Sequence, residues 1–486
     1  MLGWMSALAV AAIMLVAPAV RAADDGQAKL GAIAKAMGAD QLKSIQFSIS
    51  GEGYSEGQPA YPGGSYPRYI LKSMTRTINY RTGAVRDEIV RANGENPPRG
   101  GGGIPLQGDQ RVTFSAAGSA SWNTVGQNDI PAPELAAERL IQAWLSPHGA
   151  IKGALANRGQ VASRTIDGQK MSVISYGQPG KYKIEAYAND ANMIERVVGW
   201  TSNAVLGETK FEARYTEYRD FGSIKFPATL RVIQSGHPII EANVDDVRAN
   251  VPAEITPPDS VKMVQERVVT ANTADGVWYV TGGSHHSVVI EMKDYLIVVE
   301  SPLYDERAAA VLAEAKKLVP KKPVRYVIVT HDHFDHAGGV RYAAAHGITV
   351  IAHDDARDFF ARNFARPSPY NPDALAKAKQ KPKLDGVAEK RVISDGKRIV
   401  ELHHIRGNPH SSALIMVYLP KEKVLIEADA FTPGAPNAPY PQAVNPSIQN
   451  LYDNIERLGL QVETILPIHG RMVPFEELKR AVGRAG

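Results

Sequence analysis

The stretch HDHFDHAGG, residues 331–339, gathers His331, His333, Asp335 and His336 within six positions, directly behind the apolar run VRYVIVT at 324–330. An apolar run of that length, rich in β-branched residues and bounded by turn residues, reads as a buried strand. The four side chains therefore leave one sheet edge together. Imidazole nitrogen and carboxylate oxygen are the usual ligands of a catalytic zinc, so the spacing points to a metal site. The chain has no cysteine, which excludes thiolate zinc sites and iron–sulfur clusters and leaves nitrogen and oxygen donors only. Asp332 is read as a solvated or supporting carboxylate, because adjacent side chains in an extended loop point apart.

Outward from this motif, short apolar strands alternate with helices. SVVIEM (287–292) and YLIVVE (295–300) precede a helix from Asp305 to Leu318. A helix from Ala337 and the strand ITVIAH (348–353) follow the motif. KRIVELHHI (397–405), SALIMVYL (412–419) and KVLIEA (423–428) come next, then a helix from Ser447 to Leu458 and a last one near 474–484. This half is α/β. Asp305 and Ser447 are the expected N-caps, Pro320 and Gly459 the expected stops. The proline-marked connection NVPAEITPPDS (250–260) separates it from a first half dominated by period-two alternation. In KFEARYTEY (210–218), Phe211, Ala213 and Tyr215 share one face, as in an antiparallel strand with one wet side. QKMSVISYG, KYKIEAYA and ATLRVIQ repeat the pattern, and helices are expected near 27–44 and from Pro133. The Gly/Pro-rich stretches 51–67 and 95–103 read as loops.

HDHFDHAGG, with GNPHS (407–411), IEADAF (426–431) and ILPIHG (465–470) in that order, resembles the metallo-β-lactamase superfamily over the whole second half. The resemblance implies an α/β fold: a metallo-β-lactamase αββα sandwich at the C-terminal end, preceded by an antiparallel β-rich α+β domain. Residues 1–22 are then a signal peptide, 23–260 the β-rich domain of unassigned role, and 261–486 the catalytic domain. It implies two metal positions, with His331, His333 and His410 holding the first ion, Asp335, His336 and His469 the second, and Asp429 bridging. Asp335 and Asp429 are thus catalytic carboxylates as well as ligands, and the cofactors are two Zn2+, with iron or manganese as alternatives. A metal-bound hydroxide would attack an ester, thioester, lactone or lactam carbonyl. One departure is Ala428, where such sequences often have glycine before the bridging aspartate. The implied bridge resembles the glyoxalase II and phosphodiesterase branches more than the true β-lactamases. Alternatives are a mononuclear iron sulfur dioxygenase, and a non-catalytic envelope protein binding an apolar ligand, the latter from a likeness of the first half to half-barrel lipoprotein carriers.

Tyr440 and Asn445, in the loop behind Asp429, are candidate substrate-binding residues. Of His285, His286, His353, His403 and His404, one or two are expected near the mouth of the site. Tyr54, Tyr61 and Tyr66 are candidates for a lid.

A length of 486 residues exceeds one core, and 44% hydrophobic with 22% charged residues describes a folded globular chain. The net charge of +4 is spread without a basic block, so the expected substrate is a small molecule and not nucleic acid. Residues 1–20 are apolar and uncharged, and Val20-Arg21-Ala22 has small-residue spacing for signal cleavage. The expectation is a periplasmic or secreted protein with no stable membrane insertion after cleavage. The alternative is an anchor left uncut. The sequence leaves the oligomeric state open.

Overall fold

A computed structural model of the chain describes residues 16–101, 108–262, 266–378, 380–436, 438–440 and 443–484, with side chains from residue 25 onward. Residues 1–15 of the expected signal peptide lie outside the described residues, and 16–22 open the helix Val16–Met37. No helix among the described residues is long and apolar enough to cross a membrane.

Thirteen strands between Ser44 and Ala249 form one antiparallel sheet, in which Ser44–Tyr54 pairs with both Arg68–Asn79 and the last strand, His237–Ala249. The period-two pattern sets its faces: Phe211, Ala213 and Tyr215 are buried, while Lys210 and Arg214 face solvent. The buried face is covered by Val16–Met37, Ala136–Leu145 and Pro147–Ala156, through Leu30, Ile33, Met37, Ile141, Leu145 and Ile151. The first helix stops at Met37, short of the expected 44, because Ala39 N–H folds back onto Ala34 O (2.8 Å) and closes its last turn. Within this face the cavity lined by Phe47, Ile49, Arg76 and Phe226 is about 10 Å³, so the helices fill the concavity.

The second half is built of four layers. A seven-stranded and a six-stranded sheet face each other across Val288, Ile290, Ile297, Ile328, Leu402, Val417, Ile426 and Leu466. Helices Asp305–Leu318 and Asp354–Ala365 cover the first sheet through Val311, Ala315, Ala356 and Phe360. Pro446–Leu458 and Phe475–Ala481 cover the second through Leu451, Ile455 and Leu478. Leu296–Val299, Val324–Ile328 and Thr349–His353 pair in parallel, as do Val424–Glu427 and Thr464–Pro467. Strands buried on both faces explain why these segments read as unbroken apolar runs.

Two expected caps fall elsewhere. Tyr304 precedes the helix Asp305–Leu318, and Asp305 instead accepts the Ala374 N–H (3.0 Å). Asn445 caps Pro446–Leu458, its side chain accepting the Ser447 N–H (2.9 Å), because proline at the first helical position places the cap one residue before it. Gly459 ends that helix as expected.

The halves interlock. Val205 and Leu206, in the turn before the strand Gly207–Phe221, pack into Val329, Ala337, Val340 and Phe360. Glu208 N–H donates to Pro367 O (2.9 Å).

Candidate metal centre

Three of the ligand-bearing segments leave the C-terminal ends of parallel strands: 331–336 follows Val324–Ile328, Asp429 follows Val424–Glu427, and His469 follows Thr464–Pro467. Strands of this kind open their loops to one edge of the sandwich. Gly338 lets the motif close on its neighbour, since a Cβ there would lie 1.8 Å from Leu303 O. Asp429 sits at φ 62°, a left-handed conformation that aspartate tolerates and that turns its carboxylate back over the sheet edge. Ala428 before it is fully buried.

The structure brings all seven sequence-derived ligand candidates together in two groups, His331, His333, His410 and Asp429 in one, and Asp335, His336 and His469 with His285 in the other. In the first group, His410 Nε2 lies 3.2 Å from His331 Nε2 and 2.9 Å from Asp429 Oδ2, and His331 Nε2 lies 3.7 Å from Asp429 Oδ2. In the second, His336 Nε2 is 3.2 Å from His469 Nε2, and His285 Nε2 is 3.2 Å from Asp335 Oδ2. Asp429 reaches both groups: Oδ1 lies 2.8 Å from His469 Nε2 and Oδ2 3.2 Å from His336 Nε2.

These separations fit metal ions. Donors at 2.0–2.1 Å around a tetrahedral zinc lie roughly 3.3 Å apart. Pairs of imidazole nitrogens facing each other at that distance need a proton or a cation between them. His333 Nδ1 and Asp429 Oδ1 are buried without a hydrogen-bond partner among the described residues, the condition of donors aimed at an ion.

The charges agree. Burial, then the neighbouring imidazoles, pulls His331 well below its ordinary pKa and His333 down to about 3, so both are neutral. Burial opposes ionisation of Asp429, but His336, His410 and His469 overcome it and hold its carboxyl well below the usual range. Asp335 behaves alike, with His336 and His285 outweighing burial. His336 is the exception: Asp429, Asp335 and Glu300 outweigh its burial and raise it, so an ion bound there must displace its proton.

Supporting residues come from places the motifs do not mark. Glu300 is fully buried, lies 3.3 Å from His336 Nδ1 and accepts the Thr330 N–H (2.7 Å). An acid closing the otherwise apolar strand YLIVVE was the available signal. Asp332 is fully buried, and burial pushes its carboxyl up to about 7, so it is not solvated. Burial raises Glu427, two residues before Asp429, to about 8, and it accepts the Phe431 N–H (3.1 Å).

The first domain reaches the site through the loops at 55–67 and 94–101. His333 Nε2 donates to Pro59 O (2.8 Å), which leaves Nδ1 for the site. Gln58 Nε2 donates to Asp335 Oδ1 (2.8 Å), and Phe334 N–H to Gly57 O (3.1 Å). Gly101 lies flush on the imidazoles: a Cβ there would be 2.8 Å from His410 Cε1 and 2.9 Å from His333 Cε1. The lid candidates themselves do other things. Tyr66 is buried and donates to Gln234 Oε1 (3.0 Å), Tyr54 donates to Glu241 Oε2 (2.9 Å), and Tyr61 is exposed.

Tyr440 donates to Glu477 (3.1 Å), and Asn445 is the helix cap described above. Of the other histidines, His286 bonds Gly470 O (2.9 Å), His403 pairs with Glu401 (2.8 Å), and His353 packs against His404 with the rings tilted at 42°. Only His285 of that set joins a ligand group among the described residues.

Residues 280–469 match the family model described as the metallo-beta-lactamase superfamily. No curated protein matches the chain. Among solved structures, it is similar to a metallo-beta-lactamase from Pontibacter korlensis, at 17% identity over 45% of this chain and 99% of that one, with a TM-score of 0.35. It is also similar to the FIM-1 metallo-beta-lactamase from Pseudomonas aeruginosa in its mono-zinc form, at 20% identity over 45% and 94%, with a TM-score of 0.34. A metallo-beta-lactamase from Hirschia baltica is 20% identical over 45% and 97%, with a TM-score of 0.33. The family match over 280–469, laid over the four-layer sandwich and its histidine–aspartate groups, makes the C-terminal half of the chain a metallo-β-lactamase-fold domain.

Proposed function

We propose that the protein is a dinuclear zinc hydrolase that cleaves an ester, thioester, lactone or lactam bond in a small molecule. The observation that carries this reading is the gathering of His331, His333 and His410 on one side and Asp335, His336 and His469 on the other, with the Asp429 carboxylate within reach of both, which favours two ions over the single iron of a dioxygenase. Bound zinc would supply Lewis acidity and a water acidified from about 15.7 toward 7. The protein's own part is to hold His331 and His333 neutral, Asp335 and Asp429 ionised, and the imidazole rings fixed by Thr330, Pro59 and Glu300. Pro59 and Gly101 cover the His333 and His410 side, whereas the Asp335 and His469 side chains keep 32% and 22% of their surface open. Substrate therefore enters from the Asp335–His469 side.

Chromogenic lactam, thioester, lactone, carboxylic ester and phosphodiester compounds, run on wild type and His410→Ala, test the proposal. Turnover of one carbonyl class that vanishes in the variant supports it; turnover unchanged in the variant, or none of any class, contradicts it. We further propose that the chain works in the periplasm, on the support of its apolar, uncharged stretch at 1–20 followed by Val20-Arg21-Ala22. Fractionation that leaves the protein in the cytosol would contradict that.

A further inference from the structure

We propose that His285 is a further protein ligand of the second metal position, beside Asp335, His336, His469 and the shared Asp429. The proposal rests on the dinuclear reading above and adds to it a residue from a different loop, between the strands Val277–Thr281 and Ser287–Glu291.

His285 is placed as a ligand would be. Its Nε2 lies 3.2 Å from Asp335 Oδ2, within the roughly 3–3.5 Å that separates neighbouring donors on one zinc ion. Its ring meets that of His469 at 4.2 Å between centroids and that of His336 at 5.1 Å, so the three imidazoles converge. Ser284 Oγ lies 2.9 Å from the other ring nitrogen, Nδ1. A hydrogen bond donated from Nδ1 to that hydroxyl leaves the Nε2 lone pair facing the group.

The loop is built to hold this position. His286 N–H donates to Ile468 O (2.9 Å), His286 Nε2 bonds Gly470 O (2.9 Å), and His469 Nδ1 lies 3.3 Å from Ser284 O. Residues 284–286 and 468–470 are thus latched together, and His285 and His469 are presented as a unit. From beneath, the buried guanidinium of Arg307 donates to Arg267 O (2.7 Å), Thr281 O (3.3 Å) and His285 O (3.3 Å), tying the loop to the helix Asp305–Leu318. A histidine at a random loop position has no need of that scaffold. With Asp429 counted, the second position has three imidazoles and two carboxylates, one donor group more than the first.

Zinc titration of the metal-depleted full chain against a chromophoric chelator, on wild type, His285→Ala and His285→Gln, tests this. Glutamine can still donate a hydrogen bond to Asp335 but replaces imidazole poorly as a ligand. Wild type should bind two zinc ions, and both variants should keep the first while binding the second more than 100-fold less tightly. That loss exceeds the roughly 10- to 100-fold expected when only a supporting partner of a ligand is lost. Cobalt-loaded variants should also lose the visible absorption of the second ion. Two zinc ions in His285→Ala with affinities within tenfold of wild type overturn the assignment alone. So does His285→Gln restoring what His285→Ala loses, because His285 would then act through its hydrogen bond. Wild type binding fewer than two ions overturns both this assignment and the dinuclear reading.

Discussion

Gln58 Nε2 lies 2.8 Å from Asp335 Oδ1, joining two residues 277 positions apart across the boundary between the β-rich half and the α/β sandwich. The first domain is therefore a wall of the site. Gln58→Ala leaves one oxygen of Asp335 without its donor. It is expected to weaken zinc binding, or kcat/KM on whichever substrate the panel finds, by about 10- to 100-fold with little change in thermal stability. Gln58→Glu should do worse, because it sets a second negative charge against Asp335. Wild-type values in both variants would show that the loop merely rests on the site.

Glu300 carries a similar role behind His336. Its carboxylate lies 3.3 Å from Nδ1 while the ring's Nε2 faces Asp429 and His469. Glu300→Gln keeps the volume and removes the charge. The expected result is a loss of about 10- to 100-fold in zinc affinity, read by competition titration. An unchanged affinity would mean that His336 is oriented by packing alone.

His148 gives a pH prediction away from the metal. It is fully buried between sheet and helix, stacks on Phe226 and donates from Nε2 to Met37 O (3.0 Å). Burial lowers its pKa from 6.5 to about 4. Between those values the unfolded chain takes up a proton that the folded chain refuses. The associated stability, about 3 kcal/mol by linkage, is therefore present above pH 6.5 and lost as pH falls toward 4. His148→Gln, which keeps the donor to Met37, should flatten that part of the acid limb in denaturant titrations. A variant with the wild-type slope from pH 6.5 to 4 would contradict this account.

Leu206 tests the interlock. It is buried among Val329, Val340 and Phe360 of the other domain. Leu206→Ala should cost about 2–4 kcal/mol, lowering the melting temperature in calorimetry and loosening the site that the first domain covers. A shift of less than one degree would place that side chain outside the shared core.

Much of this was readable from the chain because it is local. The helix Asp305–Leu318 and the strand ends carrying Asp429 and His469 follow from apolar runs and their breakers, which need no knowledge of distant partners. The candidate ligands fell into place because their order along the chain mirrors the strand ends that open on one edge. Gln58, Pro59 and Gly101 were not legible. Their meaning lies in contacts with His333, Asp335 and His410, and a Gly/Pro loop over a metal site has the same composition as one facing solvent. The lid was expected from tyrosines, yet main chain and one amide do the covering, since a close-fitting roof favours small residues. Asn445, expected to touch substrate, shows the same limit: its cap role depends on the proline that follows it.

The central claim is that His331, His333, His410, Asp335, His336, His469 and Asp429 hold two metal ions between them. Elemental analysis of protein purified without chelator measures this most directly. The account predicts close to two transition-metal ions per chain in wild type and about one in each of His410→Ala and His469→Ala. Wild-type protein that is free of metal, takes up none from added zinc and is unchanged by it would contradict the account.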